Sequence, residues 1–402
     1  MKTKFKKSNF HLLAAVGCAM SYAPFAHAAT QTPLDCPGVI AVTGGYRLTQ
    51  DSNCGTGFSW DENNKFFNLN GFTLTMDGFS ATFTTGLTIR NGVLQTNSMH
   101  WEFSDKGTLS NLTVESAGAP RGFFIEAGSN FTVKNSTFTN IPNIVLDFFF
   151  SAGGGAVRKS TFTGNGSAIS IQKSSGVLIE KNKFVGNSLG VNLYDENGAG
   201  VNNNKIRYNT FWENGVGINL SALPNAEGLP VVDGNQIIGN NISRSSRSGI
   251  LIEVTCEGHF MPPVCPAQNT RVSGNRLSRN GFESLTDLPA GDEPDDDGVT
   301  ARAILRVAGG PDATPFPEGL AGVTLSNNRA DRNADLGFDV EGVTDGGGQI
   351  AKFNGNPEQC RGVVCSPLIT DQPQSLSIPS LTVLKNARAK AKLAPLQLKH
   401  KK

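Results

Sequence analysis

Residues Ile179–Leu193 (IEKNKFVGNSLGVNL) and Ile206–Leu220 (IRYNTFWENGVGINL) share one pattern, apolar-x-x-Asn-x-Phe-x-x-Asn-x-x-Gly-apolar-x-apolar. Val157–Ile171 fits with Ser for the first Asn and Ala for the Gly, and looser copies start at Val133, Ile237, Val272 and Leu325. A large apolar marker recurs at Phe138, Phe162, Phe184, Phe211, Ile242 and Leu277, with spacings of 22 to 35 residues. Self-similarity at this period builds a solenoid. Each repeat holds two or three short period-2 runs such as Gly-Ile-Asn-Leu, too short for helices. The chain has 46 Gly, 37 Asn and 25 Phe, a poor set of helix formers but a good one for short strands and tight bends. The expected fold is all-β: a parallel β-helix of about ten coils, its strands pairing at about 4.8 Å. Asn182, Asn209, Asn240 and Asn275 share one repeat position, and Asn187, Asn214 and Asn280 another. Recurring at a bend, they read as hydrogen-bonded ladders.

The net charge of +1 conceals an uneven distribution. Residues 1–28 hold four lysines and no acid; residues 385–402 hold seven basic residues and no acid. Between them stand 24 basic and 34 acidic residues, a net charge of −10. A body so acidic argues against nucleic acid as a partner. The N-terminus reads as a signal peptide over 1–28: lysines, the apolar run Leu12–Met20, then Ala26-His27-Ala28. The protein is therefore expected to be exported, secreted or periplasmic. Cys18 offers an alternative, a lipoprotein. No run is long enough to span a membrane.

Six cysteines follow the leader, in three local couples: Cys36/Cys54, Cys256/Cys265 and Cys360/Cys365. Proximity favours these pairings, and export makes disulfides reasonable. The first and last couples would staple the ends of a domain over 29–365. Residues 366–402 read as a flexible basic tail. A monomer is expected.

The segment Leu69-Asn70-Gly71-Phe72-Thr73-Leu74 resembles the opening coil of secreted right-handed parallel β-helix proteins of the pectin-lyase-like superfamily. Ile89–Leu94, Tyr46–Cys54, and Asn354–Cys360 with Val363-Val364-Cys365 resemble further segments of that family. The resemblance implies the fold and its right hand. It does not imply one activity: relatives include pectate-lyase-like enzymes, alginate lyases and epimerases, a periplasmic copper-maturation factor, and non-catalytic solenoids.

Strand alternation places some side chains outside the barrel. The position after the second apolar residue of the Gly-apolar-x-apolar strand holds Glu126, Asp147, Gln172, Tyr194, Ser221, Glu253 and Glu341. Arg302, Ile304 and Arg306 fall outward in the intervening coil, with Ala303 and Leu305 inward. Such a face suits a polysaccharide, whose hydroxyls need many polar partners. Three insertions, Val254–Gln268, Thr286–Gly298 (with Asp292, Glu293, Asp295, Asp296 and Asp297) and Gly309–Gly319, would wall a cleft there.

In β-elimination a base removes the proton beside a uronate carboxylate, and a cation neutralises that carboxylate. Glu253, Arg306 and Arg302 are the candidate catalytic residues. Tyr194, Gln172, Asp147, Arg247, Arg276 and Glu341 are candidates for substrate binding. No metal ligand is assigned; calcium is the ion that Glu253 with Glu341 would suit. Hydrolysis needs two carboxylates about 6–9 Å apart, and residues two coils apart stand about 10 Å apart. The chain lacks the Asp-Pro-His-Glu motif of alginate epimerases. A non-catalytic adhesin-like solenoid and a periplasmic maturation factor are the competing readings.

Overall fold

The computed structural model describes residues 33–366, except 103, 117–121, 127, 151–152, 196–199, 224–231, 258–264, 282–296, 307–312 and 316–319. The expected leader and basic tail lie outside the described residues. In each central coil the chain forms three short strands, and each strand pairs in parallel with its counterpart one coil on. The first sheet stacks Thr132–Lys134, Ala156–Arg158, Leu178–Glu180, Lys205–Arg207 and Gln236–Ile238. The second stacks Thr161–Thr163, Lys183–Val185, Thr210–Trp212, Asn241–Ser243, Arg276–Ser278 and Arg329–Asp331. The third stacks Ile144–Phe149, Ser167–Gln172, Leu189–Asp195, Val216–Ala222, Ile250–Glu257 and Val299–Arg306.

The apolar markers pair in the order the sequence implies, Phe138 on Phe162, then Phe184, Phe211, Ile242 and Leu277. The four phenylalanines are fully buried. Their rings stack at centroid distances of 4.9, 5.1 and 4.6 Å and lie within 11° of parallel. Burying such a side chain stabilises the fold by roughly 1.5–3 kcal/mol, so the column forms a continuous axial core.

Asparagines solve the problem of buried corners. Between the first and second sheets the Asn182 amide N–H donates to Asn209 Oδ1 (2.9 Å), and Asn209, Asn240 and Asn275 each donate to the next coil, ending at Asn328. Each Nδ2 also reaches a strand carbonyl one coil back, as Asn209 does to Ile179 (3.0 Å). A second ladder joins Asn165, Asn187 and Asn214, and resumes through Asn280, Asn333 and Asn354. A third joins Asn204 and Asn235 at the corner between third and first sheets. The residue before each first-ladder asparagine turns left-handed: Lys181, Tyr208, Gly239, Gly274 and Asn327.

Both ends are closed. Cys36 and Cys54 are bonded, with Cα atoms 5.0 Å apart, behind an antiparallel hairpin of Val39–Val42 and Gly45–Leu48. Nearby, burial and then the hydrogen bond to Glu62 push the Tyr46 hydroxyl up to about 12. Cys360 and Cys365 close the other end, where Asp345 accepts hydrogen bonds from the Val364 and Gly347 amides (2.8 Å each). Burial pushes the Asp345 carboxyl up, but these amides and Gln349 outweigh it and hold the pKa below its ordinary value.

The insertions differ from expectation. The strand Ile250–Glu257 and the strand Cys265–Ser273 take up most of the predicted loop 254–268. The side chains of Cys256 and Cys265 lie outside the described residues. The coil that starts at Val272 reaches the third sheet only at Val299, after the insertion, where Val299 pairs with Ile250. The third insertion contains a strand, Ala313–Pro315, antiparallel to Ile304–Arg306.

Asn209→Ala removes the acceptor of Asn182 and the donor to Ile179 from a buried corner. A loss of about 3 kcal/mol, on roughly 1–3 kcal/mol per orphaned group, is expected in chemical denaturation. The lowered Asp345 pKa gives stability that is complete above the unfolded value near 4 and lost as pH falls through the folded value. Hydrogen exchange at Val364 and Gly347 should accelerate over that acid range, and Asp345→Asn should abolish the pH dependence.

Candidate functional site

The outward side of the third sheet presents two rows, because alternate residues of each strand face away from the core. One row runs Glu126, Phe149, Gln172, Tyr194, Ser221, Glu253 and Arg302. Glu341 follows Val340, which pairs with Ala301, so it extends the row one coil beyond Arg302. Glu253, Arg302 and Glu341 therefore stand in successive coils, as the sequence pattern implies. Register also sets Glu257 beside Arg306. Glu253 is partly exposed and Glu341 exposed; the side chains of Glu126, Arg302 and Arg306 lie outside the described residues.

Asp147 does not take the predicted place. It pairs with Ser170 in the other outward row, and Phe149 pairs with Gln172. The cause is the run Leu146-Asp147-Phe148-Phe149: Phe148 is fully buried, which moves the outward position two residues on. Asp147 is only 1% exposed, and Gln172 Nε2 donates to both its carboxylate oxygens at 3.1 and 3.0 Å. Tyr194 is 9% exposed, so its ring offers little stacking surface. Arg247 sits at the corner before the third-sheet strand, beside Gly186, Ser188 and Gly215. Arg276 belongs to the second sheet, where it pairs with Asn241 and Arg329. The structure thus gathers Gln172, Tyr194, Glu253, Arg302 and Glu341 on one face, and not Arg247 or Arg276.

Residues 70–227 match the family model described as the right handed beta helix region. The chain folds as a right-handed parallel β-helix. Among solved structures it is similar to the A-module of an Azotobacter vinelandii mannuronan C-5 epimerase, at 12% identity and a TM-score of 0.46, over 79% of this chain and 91% of that one. It is also similar to a periplasmic alginate epimerase, at 15% identity and a TM-score of 0.40, over 84% and 79% of the two chains. A third is a mannuronic acid specific polysaccharide family 6 lyase from human gut microbiota, at 11% identity and a TM-score of 0.42, over 86% and 88%. Similarity at this level carries no activity across. No curated protein sequence matches.

The β-helix also carries groups that the repeat pattern did not single out. At the end of the third-sheet strand Phe149 and Phe150 meet edge to face at 4.6 Å, and Lys173 Nζ lies 5.5 and 5.0 Å from their ring centres. Phe150 is 45% exposed. The signal in the sequence is Phe148-Phe149-Phe150: alternation buries Phe148 and turns Phe149 outward, and the strand ends at Phe149, so Phe150 turns left-handed and stays exposed. Asp297 leaves the expected acidic loop: it is buried, accepting from the Leu336 amide (2.9 Å) and the Thr300 hydroxyl (3.1 Å). Asp292, Glu293, Asp295 and Asp296 lie outside the described residues. Among the described residues no three His, Cys, Asp or Glu side chains converge on a metal position, and no helix is long and apolar enough to cross a membrane.

Gln172→Leu removes both hydrogen bonds from a buried carboxylate. Thermal and chemical melting should show a loss of about 1.5–3 kcal/mol, the range for bonds to charged groups. An added Asp147→Asn change should recover part of it.

Proposed function

We infer that this is an exported protein that acts on an acidic polysaccharide along the outward face of the third sheet, by β-elimination. The observation that carries the reading is the row Glu253, Arg302, Glu341 in successive coils. A linear chain lying along the helix axis meets these three positions in order, at about 4.8 Å per coil.

Arg302, with Arg306 on the same strand, supplies the cation for a uronate carboxylate and for the charge that develops on it. Glu253 accepts the proton from the carbon next to that carboxylate. The released electron pair forms the new C=C bond, the bond to the glycosidic oxygen breaks, and the departing oxygen takes a proton from solvent. Glu341 accepts hydrogen bonds from sugar hydroxyls on the next unit. Phe149 and Phe150 offer apolar surface for sugar rings farther along the row. Arg302 between Glu253 and Glu341 favours this reading over a calcium shared by the two carboxylates. The lysine-led apolar leader and two disulfides support export.

The test is incubation of the protein with alginate, polygalacturonate and neutral glucans, following ultraviolet absorbance of unsaturated ends and, separately, reducing ends. Unsaturated product from an acidic polymer is expected, with a loss of about a hundredfold or more in Glu253→Gln. Reducing ends without unsaturation would replace elimination by hydrolysis. No product from any polymer would leave the face non-catalytic.

A further inference from the structure

The second sheet carries a charge pattern opposite to that of the acidic body. Arg276 and Arg329 are direct partners in neighbouring strands, and both are exposed. At the corner that follows, Arg244, Arg279 and Arg332 occupy successive coils. Each is exposed, and each holds a left-handed backbone with φ of 57, 57 and 60°. In earlier coils the same corner holds Asn140, Gly164, Gly186 and Glu213, all left-handed; the conformation costs little for the first three, whereas other side chains add roughly 1–2 kcal/mol. Like charges side by side in a sheet are also destabilising. Two arginines thus repeat on the sheet strands and three at the corner beside them, in neighbouring coils. Among the described residues two carboxylates pair with them: Glu213, 3.3 Å from Arg244, and Asp331, 3.0 Å from Arg329. Arg279, Arg276 and Arg332 add charge beyond these pairs.

Two flat rings flank the second sheet, Trp212 beside Arg244 and Tyr208 at the corner that precedes the sheet. Trp212 is 37% exposed, with the Arg244 guanidinium carbon 4.4 Å from its ring centre. Tyr208 is 53% exposed and borders a groove of about 530 Å³ that Lys159, Lys181 and Lys183 also line. Cationic groups repeating at the coil spacing of about 4.8 Å match a polymer with one anionic group per sugar unit. Exposed rings suit the apolar faces of those sugars.

We propose that the second-sheet face binds a linear acidic polysaccharide along the helix axis, apart from the third-sheet row. The choice of a glycan over another polyanion rests on the function proposed for that row. The second-sheet face holds the polymer; the third sheet acts on it.

The full chain is titrated with soluble alginate, polygalacturonate, dextran and duplex DNA by calorimetry at low and high salt. Binding to the two acidic glycans and not to dextran is expected, weakened about tenfold or more at high salt because exposed charges are screened. Arg276→Ser with Arg329→Ser should weaken it at least about tenfold, as should Arg279→Asn with Arg332→Asn, which keeps a residue suited to the left-handed corner. The corresponding lysine replacements should restore part of the binding, which separates lost charge from lost fold. Binding needs no turnover, so the result stands whether or not Glu253 is catalytic. Acidic-glycan binding that is absent, or unchanged in both arginine pairs, would overturn the proposal. DNA bound as tightly as the glycans would overturn the choice of partner.

Discussion

Each central coil of this solenoid turns between three strands, and a bend is where backbone N–H and C=O groups lose their strand partners. An unpaired buried group costs about 1–3 kcal/mol, so corners repeated through the stack would dominate the energetics. Asparagine meets the need with one side chain. Its Oδ1 accepts from the corner N–H of the coil before, and its Nδ2 reaches back to a strand carbonyl, as Asn209 does for Asn182 and Ile179. The aromatic column fills the axis between the corners. Strand registry and the outward rows follow from this framework, because a coil cannot slip without breaking its ladder.

That rigidity explains what was legible in the sequence. Asn182, Asn209, Asn240 and Asn275 recur at a fixed distance before the marker residue, so ladder and core column could be read together. Asn204 and Asn235 form a ladder as well, but they lie in the variable stretch between repeats, where spacing gives no alignment. Asp147 was misplaced because the three phenylalanines after it provide no polar residue to mark the phase of alternation. The burial of Phe148 sets that phase. Asp297 looked like part of an acidic loop, and only its contacts with Leu336 and Thr300 show it as a buried acceptor.

The rows of the third sheet mix their chemistry: carboxylate, guanidinium and carboxylate beside amide and aromatic groups. Adjacent opposite charges stabilise one another in a sheet, and the row Glu253, Arg302, Glu341 alternates in sign. What distinguishes it is position. Arg302 and Arg306 share the strand that feeds the hairpin Ala313–Pro315, and Ile250–Glu257 runs several residues past the shorter strands of earlier coils. The sheet is extended where the charged row lies.

The second sheet poses the converse question, since its arginines repel one another. Arg276 and Arg329 are 53 residues apart in sequence and become neighbours only through the large insertion between their coils. Sequence spacing alone does not reveal that contact. A face whose charges reinforce rather than cancel gains most from a ligand that supplies the missing sign along its whole length. A regular polymer does so more completely than a compact ligand, because the coils of Arg244, Arg279 and Arg332 present the same charge at the same interval. The ladder that satisfies the interior coil by coil thus also sets the spacing at which the exterior can engage a chain.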